Sequence, residues 1–235
     1  MESVESIFTE MGGIFCTPAP KLKEKLAGIK AYIFDWDGVF NNGSKNESGS
    51  STFSEPDAMG TNLLRFNYWM SHQQLPVTTI ISGEKNELSF QYAKREHLHA
   101  VYFKIANKIE ALNHLRQEHN IKPEETAFVF DDVLDLSLAK VCGVRILVNR
   151  RANPLFKNYV VSHGLADYIT ANESGNFAVR EACEVMIGLN GDFNAVVTHR
   201  ASFSSEYRNY LENRQKTEVR FYTSVNGEIE EAHNV

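Results

Sequence analysis

Asp35-Trp36-Asp37-Gly38-Val39-Phe40-Asn41-Asn42 follows the apolar run Ala31-Tyr32-Ile33-Phe34. A short run of this kind, bounded by a turn signal, reads as a buried strand. It sets two carboxylates at the carboxyl end of a core strand, with Gly38 to turn the chain. In an open α/β sheet that edge is where ligands bind. Asp35 and Asp37 are two residues apart, so on an extended backbone they point the same way. Like charges this close are costly unless a cation, a proton or hydrogen bonds compensate them. A strand followed by an Asx-rich turn is the plainer reading. It leaves the matching stretches further along unexplained.

The chain has 235 residues, 43% of them hydrophobic, which suits one α/β domain with additions. A formal charge of −6 and a pI near 5.8 argue against a nucleic-acid or polyanion partner. Cys16, Cys142 and Cys183 have no metal-ligand spacing and read as reduced, buried thiols of a cytoplasmic protein. The sequence carries no signal-peptide pattern, and no apolar run approaches the roughly 20 residues of a membrane span. There is no internal repeat.

The rest of the chain alternates strand and helix. Pro56 opens a helix that runs to about His72, with Asp57 in its first turn, where negative charge is tolerated. Val77 to Ile81 reads as a second strand ending at Ser82, before a helix from Glu84 to His97. Ser82 suits either an N-cap or, with the amides after it, a phosphate donor. Val101 to Phe103 is a third strand, and Lys108 heads a helix from Asn107 to His119. Thr126 to Phe130 is a strand, with Asp131, Asp132 and Asp135 beyond its end. Carboxylates grouped with phosphate oxygens suit a hard, octahedral ion such as Mg²⁺. A helix from Leu136 to Cys142 ends at Gly143, and Val144 to Val148 and Ala166 to Thr170 are further strands. His97 and His99 read as surface residues.

Asp35-Trp36-Asp37-Gly38-Val39 resembles the first motif of the haloacid dehalogenase (HAD) superfamily of phosphohydrolases. Ile80-Ile81-Ser82-Gly83-Glu84-Lys85 resembles the second motif, Lys108 the third, and Phe130-Asp131-Asp132-Val133-Leu134-Asp135 the fourth. All four occur in order, within a match running from about Lys30 to Leu189. The resemblance implies a Rossmann-like, doubly wound parallel sheet with helices on both faces and no separate cap domain. It divides the chain into an N-terminal extension (1–29), a phosphatase domain (30–190) with a small hairpin or loop insertion at 42–54, and a C-terminal extension (191–235). Residues 1–29 are expected to pack beside the first strand. Val219 to Val225 alternates like an edge strand, and Phe203 to Gln215 reads as a charged helix.

The resemblance also implies roles. Asp35 is the nucleophile and Asp37 the general acid/base. Mg²⁺ is held by Asp35, the main-chain carbonyl of Asp37 and Asp131. Ser82 and Lys108 hold the phosphate, Asp135 orients Lys108, and Asp132 meets the metal through water or stands behind it. The sequence resembles the capless branch, which includes 3-deoxy-octulosonate 8-phosphate and nonulosonate (sialic-acid-like) 9-phosphate phosphatases, typically tetramers. The substrate expected is therefore a small phosphorylated sugar acid, touched by Ser82, Gly83, Glu84, Lys85, Lys108 and Asp57. Asn176-Phe177-Ala178-Val179-Arg180-Glu181-Ala182 resembles a helix start of the same branch, where the Arg180 position can reach a neighbouring subunit. Glu84 stands where octulosonate phosphatases usually have Arg, which leans the reading toward a nine-carbon acid. Phe130 replaces a usual glycine, as does Lys104 or Ile105 before Lys108. A phosphomutase would need a closed cap, which is lacking. A catalytically silent binding or assembly module is the alternative from another class.

Overall fold

In the computed structural model, which describes residues 3–233 and 235, the run Ala31–Phe34 is a strand buried at every position. In chain order the elements are α1 (Val4–Glu10), β1 (Ile14–Phe15), α2 (Ala19–Leu26), β2 (Ala31–Phe34), α3 (Glu55–His72), β3 (Val77–Ile81), α4 (Glu87–Glu96), β4 (Ala100–Phe103) and α5 (Lys108–His119). They continue as β5 (Thr126–Phe130), α6 (Leu136–Ala139), β6 (Val144–Asn149), α7 (Pro154–Ser162), β7 (Tyr168–Glu173), α8 (Ala178–Asn190), α9 (Phe193–Ala201), α10 (Ser205–Arg214), β8 (Arg220–Val225) and β9 (Glu228–Glu231). The strands form one sheet in the order β1-β7-β6-β5-β2-β3-β4-β8-β9. All neighbours are parallel except the pairs at the two ends, β1 with β7 and β8 with β9.

The period of two along β2 sorts the core into two layers. Tyr32 and Phe34 face α2, α3, α4, α8 and α10, while Ile33 faces α5, α6 and α7. The doubly wound α/β class is therefore correct. Each fully buried aromatic or aliphatic side chain here contributes roughly 1.5–3 kcal/mol, and the strands on both sides of β2 are buried along most of their length. The chain leaves β2 toward β3 and β4, then returns to β5 on the other side of β2. That reversal opens a crevice at the carboxyl ends of β2 and β5, the usual ligand position in such sheets.

Several local expectations change. Of residues 1–29 only α2 shares a core layer with the first strand: β1 pairs with β7 at the far edge, and α1 and α2 pack on α8. Residues 42–54 form no hairpin but a loop folded on Asn46, whose side chain accepts from the amides of Ser48 and Ser50. The second helix starts at Glu87, because Asn86 rather than Ser82 caps it. β8 is covered on its outer side by β9, so it is not the edge. The charged C-terminal helix is joined by α9, and both pack on α3 through buried Val196, Tyr207 and Tyr210. Cys16 is exposed, while Cys142 and Cys183 are buried. His97 ends α4 at a φ of 51°, and the half-buried His99 accepts from the Thr78 amide at 3.1 Å.

Candidate active site

Asp35 follows directly on β2, its amide donating to the Val129 carbonyl of β5 at 3.0 Å. Asp131 follows directly on β5. The two carboxylates therefore meet because their strands are neighbours. Asp35, Asp131 and Asp135 offer oxygens within 4.8 Å of one another, all on buried residues. Lys108, at the first position of α5, reaches both Asp35 at 2.6 Å and Asp135 at 2.5 Å. Its side chain is only 3% exposed. Burial opposes the ammonium, but the two carboxylates outweigh it and hold Lys108 above the ordinary lysine range. The other oxygen of Asp135 accepts from the amides of Asp131 at 3.2 Å and Asp132 at 3.0 Å. Asp135 thus fixes both the lysine and the loop that carries Asp131.

Burial pushes Asp35 up to about 6, Lys108 pulling against it and Asp135 adding to it. Asp131 rises further, to about 9, from burial followed by repulsion from Asp35 and Asp135. Two carboxylates held this close favour protons unless a cation replaces them. A divalent ion reverses that tendency, and an all-oxygen donor set selects a hard ion such as Mg²⁺. The residues present fit that ion.

A pocket of about 220 Å³ opens over this cluster, lined among others by Asp37, Ser82, Gly83, Glu84, Asp132 and Arg150. Gly38, at a φ of 87°, turns the chain under it. A Cβ at Gly38 would strike the Asp131 carboxylate and the Arg150 guanidinium, so the position needs glycine for space as well as for backbone. Ser82 is buried at the pocket floor, its hydroxyl accepting from the Glu84 amide at 3.3 Å. Glu84 is exposed at the rim, and Asp132 caps the following turn through the Val133 amide at 2.7 Å.

Two of the expected pocket positions lie elsewhere. Asp57 is 1% exposed, with one oxygen accepting from the Arg180 amide at 2.8 Å and the other from the Ser54 hydroxyl at 2.6 Å. It ties the start of α8 to the start of α3 and is not a pocket residue; burial raises its pKa. Lys85 turns into a separate groove with Phe90 and Lys94. Arg180 pairs with Glu184 on its own helix at 2.6 Å. Neither glycine replacement lines the pocket. Phe130 points into the core and stacks on Phe128. Lys104 adopts the left-handed conformation a glycine would take, at a φ of 57°.

Sequence reasoning missed Arg150, Lys45 and Ser51. Arg150 comes from the end of β6 and meets Asp131 at 2.5 Å. Lys45 meets Asp37 at 2.5 Å, and the Ser51 hydroxyl donates to the same carboxylate while accepting from Asn86 at 2.7 Å. The 42–54 loop is thus bound to the second carboxylate. No local pattern marks these residues; only their position after a strand end or in a polar loop brings them in.

No protein-family model matches the chain. The chain is 28% identical over 178 residues to the 3-deoxy-D-manno-octulosonate 8-phosphate phosphatase KdsC of Salmonella typhimurium, covering 74% of this chain and 87% of that one. A structure described as a probable YrbI family phosphatase from Pseudomonas syringae superposes with a TM-score of 0.63 at 27% identity, over 78% of this chain and 98% of that one. A candidate HAD superfamily (subfamily III A) hydrolase from Legionella pneumophila gives 0.65 at 25% identity, over 77% and 94%. With the acidic cluster at the strand ends and Lys108 beside it, the chain is similar in sequence and fold to the 3-deoxy-octulosonate 8-phosphate phosphatases and to a HAD superfamily hydrolase.

Proposed function

We propose that the chain is a Mg²⁺-dependent phosphatase of small sugar-acid phosphates, working through an aspartyl-phosphate. One observation carries this reading: Lys108 bridges Asp35 and Asp135 beneath a pocket that also holds Asp37, Ser82 and Asp131. Asp35 attacks phosphorus while Lys108 and Ser82 hold the remaining phosphoryl oxygens. Asp37 gives its proton to the leaving sugar oxygen, then takes one from the water that opens the phospho-aspartate. Asp35, the Asp37 carbonyl and Asp131 are the groups that would hold Mg²⁺, which supplies charge neutralisation of the phosphate. Lys45 and Ser51 set the position of Asp37. The name of the Salmonella relative supports an eight-carbon acid 8-phosphate. Glu84 at the rim, in place of arginine, supports a nine-carbon acid 9-phosphate.

The test is phosphate release with Mg²⁺ from both acids, from hexose phosphates and from a generic aryl phosphate. Turnover that is lost in Asp35→Asn supports the reading. A folded, metal-loaded protein with no turnover on any of them points instead to a silent binding or assembly module. The Arg150–Asp131 pair is the observation that favours that alternative. A cytoplasmic tetramer, with Arg180 reaching a neighbouring copy, is proposed from the resemblance and is checked by light scattering of wild type and Arg180→Ala. Among the described residues no helix is long and apolar enough to cross a membrane.

A further inference from the structure

A second cavity, of about 280 Å³, lies between α3, α4 and the C-terminal helices, and shares no lining residue with the pocket over Asp35. Arg95, Arg200 and Arg214 line it with Glu55 and Glu96. Arg95 pairs with Glu55 at 2.6 Å and with Glu96 at 2.9 Å, and Arg214 takes the second oxygen of Glu96 at 2.9 Å. Behind them Arg65, 1% exposed, donates to the carbonyls of Glu96 at 2.5 Å and His97 at 2.8 Å. Three guanidiniums therefore line the cavity with two carboxylates, in a chain whose net charge is −6. Arg200 lies over the Tyr207 ring at 4.8 Å and meets no carboxylate among the described residues. The Nε–H groups of Arg200 and Arg214 are buried with no acceptor. A buried donor left without a partner costs about 1–3 kcal/mol. Guanidinium forks match the oxygens of phosphate and carboxylate.

We propose that this cavity is a second, non-catalytic binding site for a compact multivalent oxyanion, carrying phosphate or several carboxylates. The oxyanion supplies the negative charge that Arg200 lacks. Six of the lining residues, Arg200, Phe203, Tyr207, Leu211, Arg214 and Gln215, belong to the C-terminal extension, so the extension completes the site.

The experiment is a thermal-unfolding titration of the full chain without Mg²⁺, using sodium phosphate in one arm and citrate in the other. Sodium chloride holds the ionic strength constant. The expected result is a saturable rise in Tm of about 3 °C or more with at least one anion. The rise is lost in Arg200→Gln, which breaks no ion pair, and kept in Gly83→Asp. The latter places a repelling carboxylate at the mouth of the catalytic pocket, where an added Cβ meets nothing closer than 3.9 Å. Whichever arm responds identifies the chemistry. No saturable rise with either anion overturns the proposal. So does a rise that survives Arg200→Gln, or one abolished by Gly83→Asp, since the anion is then held elsewhere.

Discussion

The pocket over Asp35 and the cavity beside Glu96 are both lined by charge, with opposite imbalance. In the first, Asp35, Asp131 and Asp135 crowd together, and Lys108 and Arg150 do not neutralise them and the other acids of the pocket. In the second, arginines outnumber glutamates. The first is built by the ends of neighbouring parallel strands, which concentrate whatever follows each strand into one place. The second is built by helix sides, where long side chains reach inward from several directions. Imbalance at strand ends asks for a cation and imbalance among the helices asks for an anion, and each can be broken separately.

The largest effect is expected at Lys108. Lys108→Met leaves Asp35 and Asp135 buried without their shared partner, which costs about 3–5 kcal/mol in urea unfolding at neutral pH without metal. Mg²⁺ should restore part of the loss. An unchanged midpoint would mean that protons, not Lys108, already neutralise the pair. Glu96→Gln comes next. It removes the carboxylate shared by Arg95 and Arg214 and should lower stability by about 1–2 kcal/mol. Added phosphate or citrate should recover more of that loss than chloride does.

At Arg150 a smaller effect is expected on metal binding. The guanidinium competes for Asp131, so Arg150→Gln should tighten Mg²⁺ by roughly 3–10-fold in calorimetry, in line with a partly exposed pair worth about 1 kcal/mol. Weaker binding would instead make Arg150 the group that positions Asp131. An effect confined to acid pH concerns His99, which burial, and then the charges of Arg65 and His119, push down to about 3. A histidine with a depressed folded value is neutral in the fold, so the unfolded chain takes up the proton first. Its contribution is complete above about 6.5 and is lost as pH falls toward 3. His99→Asn should flatten that acid limb of the stability profile, and an unaltered limb would assign it to other groups.

Much of this was open to reading along the chain. The runs at Ala31–Phe34, Val77–Ile81 and Thr126–Phe130 became strands over the expected residues, because short apolar segments between turn signals have few other ways to be buried. The residues after those strands were candidates for the same reason. Asp57 and Lys85 were misplaced because each lies near a helix start, and a helix start does not reveal which neighbour it faces. For Asp57 that neighbour is the amide end of α8, more than a hundred residues away.

The sequence by itself located the alternating strands and helices, since period is a local property, and its resemblance to the HAD phosphohydrolase motifs implied the doubly wound class and singled out Asp35, Asp37, Ser82, Lys108, Asp131 and Asp135 as candidates. Only the tertiary structure decided that Arg150 holds Asp131 and that Lys45 and Ser51 hold Asp37. It alone brought Arg95 and Arg214 to the carboxylate of Glu96 and Arg65 to its carbonyl. Those contacts join separate elements, and long charged side chains carry no signature of their partner until packing brings the elements together.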